Sequence, residues 1–244
     1  MKKVALLIGV SEYDGLNPLP SAVEDVDALY SVLVDPERGE FLAENVTALK
    51  NPDRQKMEEE IYWLFHDRHK DDLLLFYFSG HGIKDDRNHL YLGTRITCKD
   101  KGALFQPSAV AATYLHQQIE ASRSQHQLII LDSCFSGAIA QGMTVKDDGN
   151  VRLEDYLGGK GRAILTSSTA TEYSLGAEPT EHGDTGLSIY TRYLVEGIAT
   201  GAADLDEDDW ISVNELHEYA SKKVKQAAPA MTPKFYPVEE GYKI

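Results

Sequence analysis

The apolar residues of this chain fall into short runs that alternate with longer stretches of helical spacing. Runs typical of buried strands occupy residues 3–10, 45–50, 72–79, 126–132 and 162–167, with a later candidate at 234–238. Helical patterns occupy about residues 19–34, 51–69, 107–122, 186–200 and 213–227. Such an alternation predicts βαβ units. We therefore predict an α/β fold with a mostly parallel central sheet of about six strands and helices on both faces.

Two of the predicted strands are followed at once by a chemically reactive side chain. The run 72–79 leads through a glycine to His81, and the run 126–132 leads through a serine to Cys134. Because working residues of parallel sheets lie at the carboxyl ends of the strands, we expect both groups at one edge. A thiol beside an imidazole forms a nucleophile with its base. A lone cysteine usually only packs in a core, but the shared context favours catalysis.

The two reactive segments, Ser-Gly-His-Gly at 79–82 and Asp-Ser-Cys at 132–134, resemble motifs of the caspase-like peptidases. With residues 2–10 and 232–235, the similarity covers nearly the whole chain and is greatest to metacaspases and prokaryotic orthocaspases. It implies a caspase-like three-layer sandwich and a single peptidase domain over residues 1–244. The cysteine motif Q-A-C-[RQG]-G of animal caspases is absent.

The resemblance also implies a mechanism. Cys134 would attack the substrate carbonyl as a thiolate and form a thioester acyl-enzyme, while His81 moves the proton. The backbone N–H groups of Gly82 and Cys134 would stabilise the oxyanion. We find no sequence indication of a third catalytic group, and the expected site is a Cys-His dyad.

Specificity is implied by four positions that match the substrate pocket of metacaspases: Asp25, Ser79, Asp132 and, less closely, Ser174. Paired carboxylates in a desolvated pocket favour a cation, so cleavage after Arg or Lys is expected. Three alternatives stay open. Asp25 could be a solvated helix residue, Asp132 could have a structural hydrogen-bonding role, and Ser174 could belong to a Ser/Thr-rich surface loop.

A polar, glycine-containing stretch at residues 137–161 follows the cysteine motif and is expected to form a processing or regulatory loop. Two of its basic residues, Lys146 and Arg152, are candidates for self-cleavage by an enzyme that prefers basic residues. The alternative is an ordinary exposed loop. Activation by an upstream protease or by a regulatory partner is a further alternative to self-cleavage.

Composition restricts the partners. The chain has 24 Lys and Arg against 39 Asp and Glu, a net charge of −15, which argues against nucleic acid. No apolar stretch is long enough to span a membrane.

With only two cysteines, one of them a candidate nucleophile, we expect a reducing, cytoplasmic setting. Substrates would be proteins or peptides that expose Arg or Lys, and the family resemblance implies a monomer.

No metal or other cofactor is expected. Calcium dependence is common among metacaspases, and Asp147 and Asp148 raise the question here. However, Gln141 stands where a calcium-binding aspartate would be expected. We recognise no other cluster of residues with the ligand spacing of a calcium site such as an EF-hand loop.

Two other function classes fit the sequence less well than the peptidase. A catalytically silent adaptor with the same fold is disfavoured because both His81 and Cys134 are present in small-residue settings. A flavodoxin-like or Rossmann-like nucleotide-binding domain is disfavoured because residues 9–14 lack G-x-G-x-x-G and a Walker lysine.

Overall fold

The computed structural model describes residues 1–133, 162–167 and 186–236. In chain order the strands and helices of these residues are β1 Lys3–Gly9, α1 Ser21–Leu33, β2 Val46–Lys50, α2 Arg54–Phe65, β3 Leu73–Ser79, β4 Gly82–Lys84, β5 Leu90–Gly93, β6 Lys99–Asp100, β7 Ala103–Leu104, β8 Ala109–Ala111, α3 Ala112–Ala121, β9 His126–Asp132, β10 Arg162–Thr166, α4 Ile189–Thr200, α5 Val213–Ala227 and β11 Lys234–Tyr236.

The predicted central sheet is confirmed. Six strands of the described chain pair in the order β11-β10-β9-β3-β1-β2. The pairings among β2, β1, β3, β9 and β10 are parallel, and only β11 runs antiparallel to its neighbour. All seven residues of β3 are buried, as the continuous apolar run predicts for a central strand.

Helices cover both faces of the sheet, because successive strand residues point to opposite sides. On one face Leu7, Tyr77 and Ile130 share a core with α1, α4 and α5. On the other face Leu6, Phe76 and Ile129 share a core with α2 and α3. The result is the three-layer arrangement that the sequence predicts. Among the described residues, no helix combines the length and apolarity that crossing a membrane would need.

The prediction of a helix over residues 107–122 is wrong at its start. Residues 106–108 form a short 3-10 helix and Ala109–Ala111 form β8, so α3 begins only at Ala112. The reason is tertiary: β8 pairs antiparallel with β5, and Val110 is fully buried there. The second helix also ends earlier than expected, since His66 adopts an extended conformation after Phe65.

A small second sheet follows the histidine motif. Its first two strands are the antiparallel pair β4 and β5, to which β8 adds a third strand. The backbone N–H of Gly93 donates to the carbonyl oxygen of His81 at 2.8 Å. This hydrogen bond fixes the chain as it leaves the central sheet.

Candidate active site

The carboxyl ends of β1, β3 and β9 lie side by side. In the strand register Gly9 is opposite Ser79, and Ser79 is opposite Asp132. The backbone N–H of Gly80 lies 3.4 Å from the carbonyl oxygen of Asp132. The histidine motif therefore meets the first residues of the cysteine motif at one edge. Cys134 itself lies outside the described residues.

The imidazole of His81 is oriented by a backbone carbonyl. Its Nε2 lies 2.8 Å from the oxygen of Asn17. Because a carbonyl can only accept, Nε2 carries the proton and Nδ1 is left as the basic nitrogen. Burial lowers the pKa of His81, so the neutral ring is favoured at physiological pH.

Tyr13 supports the same histidine from its other side. The Tyr13 hydroxyl accepts a hydrogen bond from the His81 backbone N–H at 2.8 Å, and the two rings lie 4.7 Å apart. Gly80 makes this approach available, since a Cβ there would lie 2.9 Å from the Tyr13 hydroxyl oxygen. The sequence interpretation missed Tyr13 and Asn17, which are 68 and 64 positions from His81.

Gly82, the predicted oxyanion residue, begins the small second sheet. It is buried and pairs with Leu92 at the start of β4. Because the flanking His81 carbonyl accepts from Gly93, Gly82 and Leu92 form a non-hydrogen-bonded pair. The N–H of Gly82 therefore points away from β5.

Three of the predicted pocket residues, Asp25, Ser79 and Asp132, lie together below this edge. Asp25 is 0% exposed and Asp132 is 6% exposed. The Ser79 hydroxyl donates to Asp25 Oδ2 at 2.9 Å. The alternative of a solvated Asp25 is thus wrong. Gly9 enables this placement, because a Cβ there would lie 2.2 Å from the carbonyl oxygen of Ala22 and force α1 off the sheet.

The Asp25 carboxyl is perturbed by its surroundings. Burial, and then repulsion from Asp132, raise the pKa of Asp25 from its usual 3.8 to about 8. Burial and both carboxylates also raise the pKa of the neighbouring Tyr77 well above its usual range. At neutral pH the pair therefore holds a proton on Asp25. Burial of the Asp25 carboxyl, together with repulsion from Asp132, explains that proton.

The start of α4 supplies hydrogen bonds to both carboxylates. The Ser188 backbone N–H donates to Asp25 Oδ1 at 2.8 Å, and its hydroxyl donates to Asp132 Oδ2. Thr191 Oγ1 donates to the same Asp132 oxygen at 2.8 Å. Because the hydroxyl proton of Thr191 is used in the bond to Asp132, Thr191 Oγ1 accepts a hydrogen bond from the Tyr77 hydroxyl at 2.6 Å. The sequence interpretation placed Ser188 and Thr191 in a helix but gave them no role.

Ser174, Lys146 and Arg152, like Cys134, lie outside the described residues. The described part of the site thus consists of the imidazole with its two supports, the Gly82 amide and the acidic pocket.

Comparison with known proteins adds independent findings. A family model described as "Caspase domain" matches residues 2–240. Metacaspase-1 of Schizosaccharomyces pombe (strain 972 / ATCC 24843) is 30% identical over 89 residues, which span 33% of this chain and only 20% of that protein.

Two solved structures share the fold. Protein GSU0716 from Geobacter sulfurreducens has a TM-score of 0.67 at 16% identity, over 98% of this chain and 94% of that one. Caspase-1 from Spodoptera frugiperda has a TM-score of 0.62 at 14% identity, over 97% of this chain and 86% of that one. These similarities confirm the predicted caspase-like fold.

Proposed function

Because the chain belongs to the caspase domain family of cysteine peptidases, we propose that it is an endopeptidase that cleaves after Arg or Lys. Cys134 is the nucleophile and His81 the base. The observation that carries the specificity is the buried cluster of Asp25, Ser79 and Asp132, in which Ser79 precedes His81 by two residues.

The acidic cluster favours a cationic side chain on energetic grounds. An Arg or Lys beside the pair would offset the burial and the repulsion from Asp132 that now hold a proton on Asp25. An acidic substrate side chain would instead add a further negative charge beside Asp132 in a desolvated site. In the free enzyme, Ser188 provides the hydrogen bonds that a cation would provide, so substrate binding exchanges Ser188 contacts for contacts to the cation.

In the proposed reaction, Nδ1 of His81 takes the proton of the Cys134 thiol. The sulfur forms a bond to the scissile carbonyl carbon, and the amides of Gly82 and Cys134 stabilise the resulting oxyanion. The carbonyl of Asn17 accepts from Nε2 and stabilises the imidazolium. Collapse breaks the C–N bond, the imidazolium protonates the leaving amine, and a thioester remains. Water, deprotonated by His81, then hydrolyses the thioester and releases the acid.

The same specificity extends to the chain itself. Cleavage after Lys146 or Arg152, within residues 137–161, would split the polypeptide behind the nucleophile. Purified protein should then give two fragments, and Cys134→Ala should remain intact. Fragments that persist in Cys134→Ala would assign the cleavage to another protease.

Fluorogenic peptides with Arg, Lys or Asp before the scissile bond test the proposal directly. We expect turnover of the Arg and Lys peptides, loss of turnover in Cys134→Ala, and full activity in the matched variant Cys98→Ala. Asp25→Asn and Asp132→Asn should each lower kcat/KM for the Arg peptide by at least about tenfold. Preference for the Asp peptide would overturn the pocket assignment, and binding without turnover would favour the silent adaptor.

A further inference from the structure

The loop between α4 and α5 brings three aspartates together at a distance from the proposed active site. Carboxylate oxygens of Asp204, Asp206 and Asp208 all lie within 4.8 Å of one another. Residues 204–215 contain six acidic residues and no lysine or arginine. Carboxylates crowd in this way at a cost in repulsion that a bound cation would remove.

The sequence gives an independent indication of which ligand would fit. Asp204, Asp206 and Asp208 occupy positions 1, 3 and 5 of a twelve-residue segment, and Glu215 occupies position 12. This is the ligand spacing of an EF-hand calcium loop, in which position 7 adds a backbone carbonyl and position 9 often acts through water. Here these positions are Trp210 and Ser212. The pattern therefore reaches beyond the acidic run to a carboxylate on the next helix.

The surroundings of the segment also match that pattern. It lies between two helices, α4 and α5, as an EF-hand loop does. Ile211, at position 8, packs against the main core and anchors the loop. Position 6 departs from the pattern, because Asp209 replaces the usual glycine. Its backbone nevertheless adopts the left-handed conformation, with φ of 69°. This replacement explains why the sequence expectation of no EF-hand spacing overlooked the segment.

Glu215 already reaches from α5 to both ends of the loop. Its Oε1 accepts from the backbone N–H groups of Leu205 at 2.9 Å and Asp206 at 3.2 Å. Its Oε2 accepts from the N–H of Ser212 at 2.8 Å. The fourth carboxylate is thus held against the segment that carries the other three. A cation would exchange part of these hydrogen bonds for metal–oxygen contacts.

From the spacing and the convergence of these oxygens, we propose that residues 204–215 bind one Ca²⁺ ion. The ligands are the carboxylates of Asp204, Asp206, Asp208 and Glu215, the carbonyl oxygen of Trp210, and a water held by Ser212. Calcium accepts six to eight oxygens in flexible geometry, whereas Mg²⁺ requires a nearly ideal octahedron, so calcium is preferred. The bound ion ties the end of α4 to the start of α5. This proposal is independent of the peptidase proposal.

Trp210 gives the experiment a local reporter. The chain has two tryptophans, and Trp63→Phe leaves only Trp210, which is 49% exposed within the loop. The full chain with Cys134→Ala and Trp63→Phe, stripped of metal, is titrated with Tb³⁺ and then with Ca²⁺. We expect Tb³⁺ luminescence excited through Trp210, its displacement by Ca²⁺, and a higher thermal unfolding temperature with Ca²⁺ than with Mg²⁺.

Variants assign the binding to this loop. Asp206→Asn and Glu215→Gln should each weaken Ca²⁺ binding by at least about tenfold, measured calorimetrically. Glu218→Gln removes an equal charge from an exposed position on α5 and should bind Ca²⁺ as the parent does. No binding up to about 1 mM Ca²⁺ would overturn the proposal. So would undiminished binding in both loop variants, or loss of binding only in Asp147→Asn/Asp148→Asn.

Discussion

Replacing Asp25 by asparagine should stabilise the protein in a pH-dependent way. The folded chain keeps the Asp25 proton up to about pH 8, whereas an unfolded chain releases it near the usual pKa of 3.8. Because its pKa is raised in the folded state, the Asp25 carboxyl contributes its full stabilisation only below pH 3.8. That contribution to the free energy of unfolding is lost as the pH rises towards 8. At about 1.4 kcal/mol per pKa unit, the loss reaches about 4 kcal/mol at pH 7.

An asparagine side chain at this position would avoid the loss while keeping the local hydrogen bonds. Its Oδ1 can accept from Ser188 as the carboxylate does, and its Nδ2 can donate to the Ser79 oxygen. The free energy of unfolding of Asp25→Asn should therefore equal that of the parent near pH 4. The variant should then gain on the parent by about 4 kcal/mol at pH 7 and level off above pH 8.

Denaturant titrations between pH 4 and 9, in a Cys134→Ala background that prevents self-cleavage, measure this difference. Glu24→Gln, an exposed position on the same helix, is the matched control and should differ from the parent by less than about 0.5 kcal/mol at every pH. If the difference between Asp25→Asn and the parent changes by less than about 1 kcal/mol over this range, the raised pKa of Asp25 is refuted. The peptide assay of the same substitution, made with Cys134 intact, should show the opposite sign, with reduced turnover of the Arg peptide.

Three further substitutions and one pH profile test the supports of the site. Tyr13→Phe keeps the ring packing but removes the acceptor for the His81 N–H, so kcat/KM should fall by about fivefold, in line with about 1 kcal/mol. Thr191→Val removes a donor to buried Asp132 and should cost about 1–3 kcal/mol of folding free energy, measured by denaturant titration. Because burial lowers the pKa of His81, the acid limb of the kcat/KM profile should have its midpoint below 6.5. Gly9→Ala should lower the thermal unfolding temperature, since its Cβ would meet a backbone oxygen at 2.2 Å.

Matched variants separate these effects from general damage. Thr191→Ser retains the hydroxyl and should restore most of the stability lost in Thr191→Val. Tyr30→Phe, a half-buried tyrosine on α1, should leave kcat/KM unchanged. A Tyr13→Phe enzyme with the activity of Tyr30→Phe would show that the Tyr13 hydroxyl does not position His81. An acid limb above pH 6.5 would contradict a desolvated, neutral imidazole.

The fold could be predicted wherever local pattern and tertiary environment agree. The strand at His126–Asp132 and the helix at Val213–Ala227 have the bounds that their apolar periodicity predicts. The start of α3 could not be predicted, because Ala109–Ala111 are extended only through their pairing with β5. A local pattern does not encode that pairing.

The candidate site was only partly visible in the sequence for a similar reason. Asp25, Ser79 and Asp132 could be named from family motifs, and they do lie together. Ser188 meets Asp25 across 163 positions and belongs to no motif that the sequence interpretation used. The contact from Asn17 uses main-chain oxygen, which no side-chain pattern can reveal.

That main-chain contact has a consequence for mutational tolerance. A peptide oxygen is present whatever amino acid occupies position 17, so the imidazole keeps its acceptor through almost any substitution there. The orientation of the His81 ring therefore does not depend on which side chain follows Leu16. Displacing the ring would instead require moving the peptide itself, for instance by shortening the segment between β1 and α1.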